Sequence, residues 1–132
     1  MKCLDNIKKA VKWYYDLPSD YRNVELLMDA RKRIAAHAFE LADITGDLKK
    51  SLDNTYADRK IAQSKTKLEL MEGKLSGIHA EAKATVEIKE LIKEEKNYEG
   101  LYGRCRLLLT QANEVLGCLN QHISLLKNEK ND

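Results

Sequence analysis

The amino-acid sequence predicts an all-α protein, and three observations lead to this prediction. Strong helix formers, above all Ala, Leu, Glu and Lys, dominate long stretches, and alternating β-branched segments bounded by turns are absent. The chain of 132 residues contains one proline and six glycines, so few positions interrupt a helix. The last third repeats apolar residues at the spacing of one helix face. We therefore expect a single domain, an elongated antiparallel helical bundle or coiled-coil hairpin with a short N-terminal helix.

Charge and hydropathy narrow the class of protein. The 23 basic and 21 acidic residues leave a net charge of +2, which creates no strong long-range field toward nucleic acid. No run approaches the roughly 18 apolar residues of a membrane span, and the first residues lack the apolar core of a secretory signal. The three cysteines form no CxxC motif, which is typical of a reducing compartment. We expect a cytoplasmic protein without a membrane span.

Residues 1–17 predict a short amphipathic helix. Leu4, Ile7 and Val11 recur at helical spacing. Pro18 ends this helix, because a proline ring cannot follow an interior helical turn. Ser19 or Asp20 is then expected to cap the next helix.

Residues 19–53 predict a second helix, whose small side chains let a neighbouring helix approach closely. The pattern weakens where Thr55 and Asp58 resemble a capping box, so the helix is expected to kink or restart there. Residues 55–97 predict a charged helical hairpin with a few apolar positions. Its turn is expected near 73–77, with a left-handed glycine at the helix end.

Residues 98–127 continue the helix after the turn and complete the bundle body with the second helix. Their apolar repeat, here called the seam, advances by about 3.5 residues, close to the helical period, and extends back through Glu95. Leu101, Leu108 and Val115 widen the seam beyond what a two-stranded coiled coil needs, so we expect self-association as a homodimer or higher oligomer. The seam consists of Tyr98, Tyr102, Cys105, Leu109, Ala112, Leu116, Leu119, Ile123 and Leu126.

The sequence offers no catalytic, cofactor-binding or metal-binding motif. Cys118 and His122 share a helix face, but zinc needs further ligands, and no local cluster supplies them. No nucleophile signature accompanies the histidines, and the acidic residues alternate with lysines as on solvated helices. The glycines match no phosphate-binding loop; Gly100 and Gly103 are instead interpreted as marks of close helix contact. We expect no enzyme, no cofactor and no metal.

The N-terminal segment combines cations with aromatic rings, the mixture that neutralises phosphates and stacks on bases. It is a candidate for contact with single-stranded nucleic acid, or for a membrane interface. In the alternative interpretation the aromatic rings close the end of the bundle and the lysines remain in water. The residues concerned are Lys8, Lys9, Lys12, Trp13, Tyr14 and Tyr15.

Asn113 and Asn120 lie seven residues apart beside the seam. Together with Arg106 and Lys127 of the same row, they could present amides and cations to a partner or to a phosphate backbone. The favoured interpretation is that such half-buried asparagines fix helix register and oligomeric state.

The C-terminal part of the chain resembles small helical accessory proteins of tailed bacteriophages and prophages. The resemblance rests on residues 98–109, 112–116 and 123–127, and on the hairpin before them with Ser76-Gly77 at its tip. It covers roughly residues 55–127. The resemblance implies an accessory protein of the host cytoplasm, without transferable catalytic residues, in a setting of DNA recombination or replication.

These observations favour a non-enzymatic, oligomeric interaction protein that presents helix faces to itself and to an unidentified protein partner. Two alternatives remain open. The chain could bind single-stranded nucleic acid through its N-terminal helix, or it could inhibit a host protein.

Overall fold

The computed structural model describes residues 2–131, and it confirms the all-α prediction. The described residues form helices and connecting turns, without β-strands. Contacts divide the chain into two compact units, unit 1 formed by Met1–Thr45 and Arg104–Asp132 and unit 2 formed by Gly46–Gly103. The helices are α1 (Lys2–Tyr15), α2 (Val24–Glu72), α3 (Gly77–Glu87) and α4 (Lys89–Asn131).

Unit 1 is a three-helix body in which α1 and the first part of α2 pack with the last part of α4. Helix α1 buries Cys3, Ile7 and Val11, which recur at intervals of four residues and so lie on one side. Complete burial of a large aliphatic side chain stabilises a fold by about 1.5–3 kcal/mol. The largest fully buried side chains of this unit are Ile7, Leu27, Ile34, Leu41, Cys105, Val115 and Leu119.

Unit 2 has a smaller and more polar interior. Its buried side chains are Thr55, Ala80, Ala84 and Ile88. Polar contacts join α2 to the opposite helices: Arg59 pairs with Glu95, the Gln63 amide donates to Thr85 Oγ1 at 3.3 Å, and Lys67 lies 3.7 Å from Glu81. Unit 2 therefore combines a small apolar interior with polar contacts between its helices.

The start of α2 differs from the prediction. Asn23 caps the helix, because its Oδ1 accepts a hydrogen bond from Leu26 N–H at 3.2 Å. The prediction that Ser19 or Asp20 caps this helix was wrong. A turn, in which Tyr21 N–H donates to Pro18 O at 3.1 Å, precedes the helix, and α2 begins only at Val24.

Helix α2 also continues through the point where a kink or restart was expected. The Thr55 hydroxyl donates to Ser51 O at 2.8 Å, four residues back in the same helix. A threonine satisfied in this way needs no N-terminal position. The resemblance to a capping box therefore has no structural counterpart.

The turn after α2 is a Schellman motif. Leu75 N–H donates to Leu70 O at 3.3 Å, and Lys74 N–H donates to Met71 O at 2.9 Å. The left-handed residue is Lys74, with φ of 72°, and none of the described glycines has a positive φ. The turn lies in the predicted range, but the expected left-handed glycine was wrong.

Two further details depart from the sequence interpretation. Ile88, with φ of −98° and ψ of 16°, separates α3 from α4 where one helix was expected. A Cβ added at Gly100 or Gly103 would meet nothing within 4 Å, so these glycines do not mark close helix contact.

Candidate interaction surfaces

The seam of α4 is covered from within the chain. Cys105, Ala112, Leu119, Ile123 and Leu126 are buried in unit 1. The remaining seam residues, Tyr98, Tyr102, Leu109 and Leu116, are half-buried. Because α1 and α2 provide the neighbours that this wide stripe requires, the stripe by itself no longer argues for a second copy. Self-association stays a prediction that needs another surface.

Asn120 positions helices inside the chain. Its Oδ1 accepts a hydrogen bond from Arg31 Nη1 at 3.0 Å, between α4 and α2 of unit 1. Near the same end, Arg22 and Glu129 form an exposed ion pair at 2.6 Å. Both asparagines are exposed, so their expected half-burial was wrong, but Asn120 still forms a hydrogen bond between two helices.

The basic and aromatic residues of α1 lie mostly at the surface. Lys8, Lys9 and Lys12 are exposed, and Tyr15 is 62% exposed. Trp13 is 36% exposed and packs edge-on against Tyr21, with ring centroids 6.2 Å apart. These side chains are available to a ligand, although Trp13 also serves packing.

Tyr14 is the least exposed aromatic residue of α1. Its ring lies 6.3 Å from the His122 ring, measured between centroids. Burial raises the pKa of the Tyr14 hydroxyl, and charges on neighbouring groups such as Cys118 add to the rise. Tyr14 therefore belongs to the packing of unit 1 more than to its surface.

A groove of about 510 Å³ runs between α1 and α2 in unit 1. Its wall includes the indole of Trp13 and the side chain of Leu26, which is 49% exposed. Lys9, Arg33 and His37 add basic groups, and Arg33 is paired with Asp29 at 3.0 Å. The groove therefore combines apolar and basic groups.

Cys118 and His122, the pair considered for metal binding, do not converge on further ligands in the described part of the chain. Cys118 is exposed. His122 Nε2 lies 2.9 Å from Tyr21 O and donates to it in the tautomer that carries hydrogen on Nε2. His122 therefore anchors the segment before α2.

A different cluster, which the sequence analysis missed, unites Cys3 of α1 with His37 and Glu40 of α2. Their ligand atoms all lie within 4.8 Å of one another. Burial raises the pKa of the Cys3 thiol above its ordinary 9.0, and the Glu40 carboxylate raises it further. The only signal in the sequence was the i, i+3 spacing of His37 and Glu40, because Cys3 joins them through the packing of two helices.

Unit 2 exposes several of its large apolar side chains. Ile61 and Leu68 of α2 are 67% and 61% exposed, and Ile78 and Val86 of α3 are 84% and 72% exposed. Ile61 and Leu68 lie seven residues apart and so share one side of α2. These four residues are here called the outer apolar residues. Apart from Ile88, the buried side chains of unit 2 are small or polar, namely Thr55, Ala80 and Ala84.

Comparison with known proteins supplies no relative: no family model, no curated protein and no solved structure matches the chain. Within residues 2–131, every helix is too short or too polar to cross a lipid bilayer.

Proposed function

We propose that the chain is a non-enzymatic interaction protein, which self-associates and binds a protein partner through the outer apolar residues of unit 2. The observation that supports this proposal is the inverted distribution of side chains in that unit. Four large aliphatic side chains are 61–84% exposed, whereas two alanines, Thr55 and one large aliphatic residue, Ile88, are buried beside the Arg59–Glu95 ion pair. Covering apolar surface recovers roughly 25 cal/mol for each Å², so a partner gains most at these positions.

The resemblance of residues 55–127 to phage and prophage accessory proteins extends the proposal to a setting. Such a protein would act in the host cytoplasm, beside recombination or replication proteins. Inhibition of a host protein would use the same surface with a different partner.

The test compares two double variants, each of which replaces two exposed aliphatic residues by glutamine. Ile61→Gln/Leu68→Gln alters the proposed surface, and Leu107→Gln/Leu125→Gln alters residues of α4 that are 62% and 64% exposed. All four positions are well exposed, so both variants should have an unfolding temperature close to that of the native chain. Light scattering at increasing micromolar concentration should give an oligomer for the native chain and the control, and a monomer for Ile61→Gln/Leu68→Gln.

A photocrosslinking residue adds a second measurement. Placed at Leu68, it should form covalent dimers in purified protein and partner adducts in host cells, and placed at Leu107 it should form neither. A native chain that is monomeric at high micromolar concentration, with equal crosslinking at the two positions, would overturn the proposal.

Binding of single-stranded nucleic acid is the second candidate function. It is supported by the exposure of Lys8, Lys9 and Lys12 on the helix that also exposes Trp13 and Tyr15. Trp13 is the only tryptophan of the chain, so its fluorescence reports on this surface alone.

Titration with a labelled oligothymidylate over a salt series tests this candidate. If α1 binds the strand, Trp13 fluorescence is quenched and affinity falls steeply with salt, by a logarithmic slope of about 0.7 for each phosphate contacted. A triple alanine variant of Lys8, Lys9 and Lys12 should abolish binding. The matched control replaces Lys50, Lys60 and Lys65, which are exposed on α2. Equal loss in both variants would indicate an unspecific effect of charge and reject the candidate.

A further inference from the structure

Cys3, His37 and Glu40 form a compact set of three different ligand atoms. A thiol sulfur, an imidazole nitrogen and a carboxylate oxygen lie within 4.8 Å of one another at the junction of α1 and α2. Zinc binds such ligands at about 2.0–2.3 Å in tetrahedral geometry, which places ligand atoms roughly 3.3–3.8 Å apart. The ligand atoms therefore need to approach one another by at most about 1.5 Å. Side-chain rotation on fixed helices can provide this closure.

The chemistry of the set also favours zinc. Sulfur, nitrogen and oxygen together suit a borderline ion such as Zn²⁺ better than a hard ion such as Mg²⁺. A thiolate and a carboxylate carry two negative charges, which balance the charge of the ion. In the part of the chain that the structure describes, no lysine or arginine pairs with Glu40 and competes for this role.

The three ligand residues differ in burial, so one side of the cluster is accessible to solvent. Cys3 is buried, His37 is half-buried and Glu40 is exposed. A metal ion would enter from the side of Glu40. Three protein ligands with one open position is the arrangement in which a solvent molecule completes the tetrahedron.

We propose that Cys3, His37 and Glu40 bind one Zn²⁺ ion, with water as the fourth ligand. On binding, the Cys3 thiol releases its proton to solvent, and Sγ exchanges its present hydrogen bond to His37 O for a bond to the metal. No electron is transferred. The ion ties α1 to α2 next to the groove between these helices, since His37 also lines that groove.

Cobalt(II) is the probe for this site, because a thiolate ligand gives an intense charge-transfer band in the near ultraviolet and tetrahedral geometry gives strong visible bands. The reduced native chain should bind one Co²⁺ with both signals, and equimolar Zn²⁺ should remove them. Zn²⁺ alone should also raise the unfolding temperature of the native chain, because an ion that binds only the folded state stabilises it.

Variants locate the ion. Cys3→Ser should lose the charge-transfer band, and Glu40→Gln should weaken Co²⁺ binding by at least about tenfold, the loss seen even for outer partners of a metal ligand. Because Glu40 is exposed, Glu40→Gln keeps the test valid if Cys3→Ser impairs folding. Cys118→Ser and His122→Gln are the controls and should keep both signals.

Three results would overturn the proposal. The first is a native chain that shows no thiolate-to-cobalt band, and the second is a band that survives Cys3→Ser. The third is a band that disappears in Cys118→Ser, which would assign the sulfur ligand to α4.

Discussion

Arg59 of α2 and Glu95 of α4 form an ion pair inside unit 2, where only 17% and 15% of their side chains are exposed. The guanidinium reaches both carboxylate oxygens, and its Nη1 also donates to Gln63 Oε1 at 3.2 Å. Glu95 stands at a position of the apolar repeat, and this pair explains why a charged residue is tolerated there. The pair joins α2 to α4 in a unit that buries few large apolar side chains.

Removal of one partner of this pair should be costly. Glu95→Gln leaves the Arg59 charge without a counter-ion, and we expect a loss of about 2 kcal/mol in the free energy of unfolding, below the 3–5 kcal/mol of fully buried pairs. Asp53→Asn, which breaks the exposed pair with Lys49, is the control and should cost less than about 1 kcal/mol. Urea denaturation measures both. Equal losses would contradict the assigned role of the pair.

Asn23→Ala should destabilise the start of α2. The substitution removes the acceptor of Leu26 N–H and is expected to cost about 1 kcal/mol. Ser19→Ala and Asp20→Ala are matched controls, because they remove the caps that the sequence alone suggests. Thermal unfolding distinguishes the two assignments, since only Asn23→Ala should lower the midpoint. A larger effect of Ser19→Ala or Asp20→Ala would instead assign the cap of α2 to that residue.

Lys74→Gly should stabilise the protein. Lys74 adopts φ of 72°, which is unfavourable for a residue with a Cβ and favourable for glycine. We expect a gain of roughly 1 kcal/mol in the free energy of unfolding, measured in urea. Gly77→Ala is the comparison, because an added Cβ there meets nothing within 4 Å and φ is negative. If Lys74→Gly destabilised the protein, the Schellman geometry would be wrong.

The sequence predicts the elements of this fold better than their ends. Helical periodicity reports which residues share a face, and the seam residues from Cys105 to Leu126 are buried or half-buried in consequence. The caps depend on single hydrogen bonds, such as that of Asn23, for which several neighbouring residues have equal propensity. Periodicity alone therefore locates the helix but leaves the choice of cap open.

The candidate sites were harder to predict for a different reason. Ile61 and Leu68 share one side of α2, but a period does not say whether that side faces a helix or water. In unit 2 the buried residues of α3 are Ala80 and Ala84, and α3 meets α2 through polar side chains such as Thr85, which contacts Gln63. Cys3 meets His37 across 34 residues of sequence, so no local pattern could report their contact.

Alkaline pH should destabilise the protein through its buried thiols. Burial raises the pKa of the Cys105 thiol above its ordinary 9.0, so the folded chain keeps a proton that the unfolded chain has already released. Because the unfolded state then binds fewer protons, the free energy of unfolding falls as pH rises above about 9 and levels off beyond the folded pKa. Urea denaturation between about pH 8 and pH 10.5 measures this slope. Cys105→Ala should reduce the slope without abolishing it, because burial also raises the pKa of Cys3 and of Tyr14. Cys118→Ala, which removes an exposed thiol of the same helix, should retain the full slope. Identical slopes for Cys105→Ala and the native chain would show that ionisation of this thiol is not coupled to folding.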